Sequence, residues 1–411
     1  MTTAGIWRAL TPTEKVYADK EIYVGYTVRA SGSLDLDALR TAYAAVCRAH
    51  PQLASRLGTD EHGLVVVASD TPPEVQVHDG DPAHALAGVR LGQDRALSGL
   101  NVVRDGDRAS VTLVNHHCVA DADHSLAVFS RLWSCYTDTV EGVPFDLPRH
   151  PYPRPLEALL GERGFQVNTP VAKTPGATVE PSPDLRVLVR HVAQLRLTEA
   201  QTTALAEFGR RHEVTLNGLL SAAILLVEAQ SRDIPLTDLV LRFTVNLRNR
   251  VTPHITPTEG TNVVGGGRFM VPAGTTPTPV AIARVVADQL RTGLADGSIQ
   301  RSLLDMVDLV NRQTPGEVPQ ETPHPRHVVV SLTNWGRIPP MRTPAALALT
   351  NFQSASHIRE SPAHFDAARG YVASTFGGRL GIDLAFPEKT AEQAQRIDDL
   401  RELLVGLTQQ G

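Results

Sequence analysis

Nine prolines fall between residues 144 and 183: Pro144, Pro148, Pro151, Pro153, Pro155, Pro170, Pro175, Pro181 and Pro183. Each fixes φ and removes an amide donor, so no packed helix or central strand can run through most of this stretch. It reads as an ordered crossover anchored by Tyr152, Leu156 and Phe165, with one short helix near residues 156–163. The 411 residues are enough for two subdomains with full cores. The expected divisions are residues 1–143, the crossover 144–184, and residues 185–411.

In the first part, residues 15–33 read as extended, with Ile22, Val24, Tyr26 and Val28 alternating against Tyr23, Gly25, Thr27 and Arg29. Asp35 or Asp37 caps a helix whose apolar face holds Leu39, Ala42, Tyr43, Val46 and Cys47, and Pro51 ends it. Short strands follow near residues 64–67, 75–77 and 100–104. A further alternating run, residues 109–114, then leads into Asn115-His116-His117-Cys118-Val119-Ala120-Asp121-Ala122-Asp123-His124. Beyond it Leu126, Phe129, Leu132, Trp133 and Tyr136 recur at helical steps.

Two adjacent histidines therefore sit where a strand ends and a helix begins. Neighbouring strand side chains point to opposite faces, so one histidine faces a cavity and the other faces packing. An aspartate four residues on can fold back and tie the turn. One oriented imidazole is what general-base chemistry needs. A metal pair is the competing reading and would take its third ligand from Asp121, Asp123 or His124; two purely structural histidines are another. No metal is expected.

The second part opens with a strand over residues 185–195 and a capping box at Thr198-Glu199-Ala200-Gln201. Helices follow from Thr198 and from Thr215, then a strand with Leu241, Phe243, Val245 and Leu247. Two helices are expected near residues 279–296 and 302–312. Strands are expected over 328–332, 347–354 and 371–376, the last turning at Gly377-Gly378 into 380–384, before a helix over 391–407. Gly265-Gly266-Gly267 with Arg268 reads as a flexible turn, or as a contact for a pantetheine arm. Strands mixed with helices in each part suggest two α+β sandwiches.

A net charge of −5 supplies no basic field for nucleic acid. The 3 cysteines, Cys47, Cys118 and Cys135, are too few and too dispersed for a disulfide framework, which fits a reducing cytoplasm. No run approaches the roughly 20 apolar residues that span a bilayer, and the opening residues lack a signal-peptide core.

The His-His-x-x-x-Asp stretch resembles the signature of the chloramphenicol acetyltransferase/condensation-domain superfamily, in particular the polyketide-associated acyltransferases that include the phthiocerol/phthiodiolone dimycocerosyl transferases. The similarity extends to Ala9-Leu10-Thr11-Pro12-Thr13-Glu14, to Leu195-Arg196-Leu197-Thr198, to Thr215-Leu216-Asn217, to Val245-Asn246-Leu247-Arg248 and to Pro257-Thr258-Glu259-Gly260-Thr261-Asn262. It departs at Ala122, where the family has glycine: either the turn is ordinary here or the pocket floor is reshaped.

The resemblance implies two acetyltransferase-like subdomains in a V, with a tunnel between them. It also implies that an acyl or polyketide chain moves from a CoA or carrier-protein thioester to an alcohol. His117 is then the general base, Asp121 an organiser paired with Arg248, and His116 structural. Asn334 and Gly336 of Asn334-Trp335-Gly336 are expected at the oxyanion, His124 at the tunnel edge, and His357 and His364 on the acceptor side. No covalent acyl-enzyme is expected, and Cys118 reads as structural. The thioester is a co-substrate and no cofactor is implied. An acyl carrier protein or polyketide synthase is the implied partner, with a lipid or small alcohol as acceptor. Amide formation by a condensation-type enzyme, or carrier binding without catalysis, are the alternatives.

Overall fold

The structure is a computed structural model, and it describes residues 6–61, 63–69, 73–167, 187–189, 191–312, 327–359, 369–386 and 390–409. Pro170, Pro175, Pro181, Pro183 and His364 lie outside the described residues. The chain folds as two compact α+β units. The first comprises Met1–Val189, Val251–Val263 and Pro339–Glu360, and the second Arg190–Arg250, Val264–Ile338 and Ser361–Gly411. The expected 185–411 part thus lends three segments to the first unit, 185–189, 251–263 and 339–360, which the proline pattern alone does not foresee.

In chain order the first unit holds β1 (Ile6–Ala9), α1 (Pro12–Ala18), β2 (Tyr23–Gly32), α2 (Leu36–Ala49), β3 (Ser55–Asp60) and β4 (Gly63–Ala68). Then come β5 (Val75–Asp79), β6 (Ser98–Asp105), β7 (Arg108–His116), α3 (Ala122–Glu141), α4 (Leu156–Gly161) and β8 (Val187–Val189). The second unit adds β9 (His191–Arg196), α5 (Glu199–Arg211), α6 (Leu216–Arg232), β10 (Leu239–Asn246), β11 (Val264–Met270), α7 (Pro279–Ala295), α8 (Ser298–Arg312) and β12 (Val328–Arg337). The chain returns to the first unit for β13 (Leu347–Arg359) and ends in the second with β14 (Arg369–Phe376), β15 (Arg379–Phe386) and α9 (Ala391–Thr408).

The first unit has a six-stranded sheet in the order β5-β6-β7-β2-β13-β8, and β1-β4-β3 form a separate three-stranded sheet. β7 sits inside the large sheet, antiparallel to β2 and β6, and is buried from Ala109 to His116. The helix that follows it buries the predicted face: Leu126, Phe129, Leu132, Trp133 and Tyr136 are each at most 3% exposed. α3 stops at Gly142, whose φ of 68° is the left-handed cap that glycine adopts without a Cβ penalty.

The second unit has a six-stranded sheet in the order β11-β10-β12-β14-β15-β9. α6 is buried along most of its length, as its apolar pattern implies, and packs in the core with α5, α7 and α9. Inside this core Glu228 (0% exposed) accepts from Tyr371 Oη at 2.6 Å and Arg232 Nε at 2.8 Å, and its carboxylate lies 3.2 Å from Arg396 Nε. Among the described residues no single helix is long and apolar enough to cross a membrane.

The structure corrects four local expectations. Residues 12–18 are helical rather than extended, because Thr11 has an extended N-cap conformation, Pro12 takes the first helical position and the Glu14 carboxylate accepts from Thr11 N at 3.0 Å. The single strand expected over 185–195 is two strands in two sheets, β8 on β13 and β9 on β15. Gly265-Gly266-Gly267 is strand, not turn; a Cβ at Gly265 would overlap the Ile299 carbonyl, and Gly266 N donates to Ser302 Oγ at 2.6 Å. Asn334-Trp335-Gly336 lie within β12, at a register irregularity against β14.

Candidate active site

β7 delivers His116 and His117 to the start of a tight turn, and Asp121 starts α3. The Asp121 side chain is the N-cap: Oδ1 accepts from His124 N at 3.0 Å. Its other oxygen, Oδ2, accepts from Val263 N at 2.8 Å, while Asp121 N donates to Thr261 O at 2.7 Å. One residue of the motif thus fastens a helix start to a segment roughly 140 positions later. Thr261 is held from its other side, where Oγ1 donates to Glu14 Oε1 at 2.8 Å. Glu14 is 1% exposed and takes a two-pronged bond from Arg8, at 2.6 and 2.5 Å.

His117 is half-buried at the centre of this frame. Its backbone N donates to Ile22 O at 2.7 Å. Its ring stacks on Tyr17, with centroids 4.2 Å apart and planes inclined by 14°. Nδ1 lies 2.9 Å from Asn262 Oδ1, and Asn262 Nδ2 donates to the His117 carbonyl at 2.6 Å. Nε2 has no hydrogen-bond partner among the described residues. Burial pushes the imidazole below its ordinary value of 6.5, against the pull of its own backbone carbonyl, the Asp121 carboxylate and Asn262.

The other motif residues are packing elements. His116 is fully buried, accepts from Cys118 N at 3.1 Å through Nδ1 and meets Tyr23 edge-on. Cys118 is also fully buried, and burial raises its thiol well above the ordinary range, so it is a poor nucleophile. The three cysteines are free and buried. His124 does not border a substrate: it is 0% exposed, with Nδ1 2.9 Å from Gly260 O and Nε2 2.6 Å from Gln52 Nε2. Gly260 O can only accept, so Nδ1 carries the proton and Nε2 accepts from Gln52. Ala122, with the first helical turn it opens, adopts ordinary helical geometry, so no glycine is needed there.

Arg248 lies in the second unit just past β10, 2% exposed, with its backbone N on Asn246 Oδ1 at 3.0 Å. Asn334 belongs to the same unit; its Nδ2 donates to Asn217 Oδ1 at 3.1 Å and its Oδ1 accepts from Gly336 N at 2.8 Å. The Gly336 N–H expected at an oxyanion is therefore already committed within β12. Gly336 has φ +68°, the conformation that favours glycine. His357 is on β13, in register with Tyr23. Among the described residues no group of three histidine, cysteine or acidic side chains could hold a metal ion.

Sequence reasoning does not single out Tyr17, Glu14 or Asn262 as site residues. Asn262 and Glu14 each fall in a segment whose resemblance to the family could have drawn attention to them; Tyr17 carries no comparable signal.

With this geometry in hand, comparison with known proteins places the fold. The structure superposes on the first condensation domain of the calcium-dependent antibiotic synthetase with a TM-score of 0.68 and 15% identity, covering 99% of this chain and 97% of that one. It superposes on polyketide synthase associated protein 5 from Mycobacterium tuberculosis with a TM-score of 0.80 and 30% identity, over 99% of each chain. The fold is thus the one that condensation domains and polyketide synthase associated protein 5 share.

Residues 187–385 match the family described as phthiocerol/phthiodiolone dimycocerosyl transferase C-terminus. The phthiocerol/phthiodiolone dimycocerosyl transferase of Mycobacterium tuberculosis is 30% identical over 98% of this chain and 97% of its own length. The chain belongs to the phthiocerol/phthiodiolone dimycocerosyl transferase family, and it is an acyltransferase that moves groups other than amino-acyl groups.

Proposed function

We propose that the protein transfers an acyl or polyketide chain from the thioester of CoA or of a phosphopantetheinyl carrier protein to an alcohol, with His117 as general base. The observation that carries this reading is the His117 ring, whose Nδ1 is hydrogen-bonded to Asn262 while Nε2 has no hydrogen-bond partner among the described residues. A neutral Nε2 takes the proton of the acceptor hydroxyl as its oxygen attacks the thioester carbonyl. The C–O bond forms, the tetrahedral intermediate collapses, the C–S bond breaks, and the departing thiolate takes the proton from Nε2. The depressed imidazole pKa keeps the base neutral at neutral pH. Cys118 is too deeply buried and too weakly acidic to carry the acyl group.

The relatives' names support the acyl and polyketide character of the donor: one is a dimycocerosyl transferase and another a polyketide synthase associated protein. Asp121 and His116 act as organisers in this scheme, Asp121 through the 261–263 segment and His116 through the turn.

The test is a free-thiol assay of the purified protein with palmitoyl-CoA or a palmitoylated carrier protein, with and without 1-octanol. Thiol release that depends on the alcohol is expected, and His117→Ala should reduce it by about 10²- to 10⁴-fold while leaving the far-ultraviolet dichroism unchanged. Undiminished turnover in His117→Ala would remove the base from the mechanism. Release that depends on 1-octylamine and not on 1-octanol would replace ester formation by amide formation.

A further inference from the structure

We propose that Asn262 is a positioning residue that sets the tautomer of the His117 imidazole and so makes Nε2 the basic atom. This rests on the reading of His117 as the base. Asn262 is 1% exposed and grips His117 at two points. The grip at the backbone decides the orientation of the amide. A carbonyl oxygen only accepts, so the atom 2.6 Å from His117 O is the amide nitrogen. The amide oxygen therefore faces Nδ1 at 2.9 Å. That oxygen also only accepts, so Nδ1 must be the protonated ring nitrogen. The lone pair is left on Nε2. Free imidazole side chains in water favour the opposite tautomer, so the protein must hold this one against the intrinsic preference.

The flanking residues explain why Asn262 can do this. Thr261 is tied to Glu14 through its side chain and to Asp121 N through its carbonyl, and Val263 N is tied to Asp121 Oδ2. The residues on either side of Asn262 are thus fixed by charged or capping groups, two of those bonds made by the motif aspartate itself. Asp121 consequently serves the imidazole through Asn262 as well as through its charge. Tyr17, stacked on the ring, opposes the turn about Cβ–Cγ that would swing Nδ1 away from the Asn262 oxygen. During turnover the Nδ1–H stays on the Asn262 oxygen while Nε2 gains and loses its proton, so the contact is present in both states. Its loss should lower kcat and leave KM nearly unchanged.

The experiment combines a tautomer readout with kinetics. Ring-¹⁵N-labelled protein is examined by long-range ¹H–¹⁵N correlation, with the His117 signals assigned by their loss in His117→Ala. Wild type should show the proton on Nδ1. Asn262→Leu should shift population to the Nε2–H form and lower kcat for palmitoyl-CoA with 1-octanol by about 10- to 100-fold, the range found for outer-shell partners of ligating histidines. Asn262→Ala, less demanding on folding, carries the same expectation. Asn262→Asp gives up the bond to His117 O but keeps an acceptor for Nδ1–H. It should retain the wild-type tautomer and move the acid limb of kcat/KM to higher pH, because a carboxylate favours the imidazolium. A wild-type tautomer in both Asn262→Leu and Asn262→Ala, or an unmoved acid limb in Asn262→Asp, overturns the proposal. Full turnover in His117→Ala would instead sink the base assignment alone, while the tautomer result would stand.

Discussion

Burial dominates the ionisation of His117, and the direction has a kinetic consequence. The imidazole pKa is held below 6.5, so the neutral, proton-accepting form persists to lower pH than in an exposed histidine. A protonated ring cannot accept the hydroxyl proton, and activity is lost as pH falls through the depressed value. The kcat/KM profile should therefore be flat through neutrality, with its acid limb below 6.5; a limb at or above that value would contradict the burial of the ring. The strand period says that one histidine packs and the other faces a cavity, while the family resemblance, not the period, assigns these places to His116 and His117. Asn262 was singled out by neither. It is 145 positions from His117, and no local pattern marks an amide that will fold back onto a distant ring. Asn334 and Gly336 pointed the other way: as a short sequence they resemble a site, but in the structure their polar groups bond to one another and to Asn217.

At the scale of elements, the amphipathic helices were the most legible parts, because a 3.6-residue apolar pattern states its own period. α2, α5 and α6 start next to residues read from sequence as helix starts, Asp35 (one of two candidates with Asp37), Thr198 and Thr215, whereas Asp121, read only as tying the turn, also caps α3. α1 escaped notice because it is only 7 residues long, too short for the 3.6-residue pattern to repeat. The paired helices α6 and α9 hide a different feature, the Glu228 carboxylate shared by Arg232, Arg396 and Tyr371. Arg396 is 1% exposed and its other carboxylate, Glu392 at 2.5 Å, is half-exposed, so removing Glu228 takes away its buried counter-charge. Glu228→Leu should cost about 3–5 kcal/mol, the range for breaking one side of a buried ion pair. Urea unfolding midpoints would read this, and a loss below 1 kcal/mol would mean that Glu392 alone compensates Arg396.

For the whole molecule, stability should depend on acid through its buried histidines. His50, 5% exposed and stacked on His150 at 4.5 Å, is pushed down to about 3, chiefly by burial. It is neutral in the folded state, whereas the unfolded chain protonates it near 6.5. Its contribution is thus intact above 6.5 and falls as pH drops from there toward 3, by a few kcal/mol at about 1.4 kcal/mol per pKa unit. Denaturation at pH 7 and pH 4.5 should show the loss, and His50→Phe should flatten it; an unchanged slope in the variant would assign acid sensitivity elsewhere. The prolines suggested a division into two parts but not the exchange of segments between units, because strand pairing across hundreds of residues leaves no periodic trace.

β13 lies between β2 and β8 in the large sheet of the first unit, in register from Leu347 against Gly32 to His357 against Tyr23. During synthesis β2 and β7 leave the ribosome more than 200 residues before this strand. Until it arrives, β2 exposes a long, largely apolar edge to its surroundings. Val251–Val263 arrives in the same interval, so a nascent chain carries the imidazole before it carries the amide that orients it. The first unit is thus finished from the second half of the message, and its large sheet is completed only when nearly the whole protein has been made.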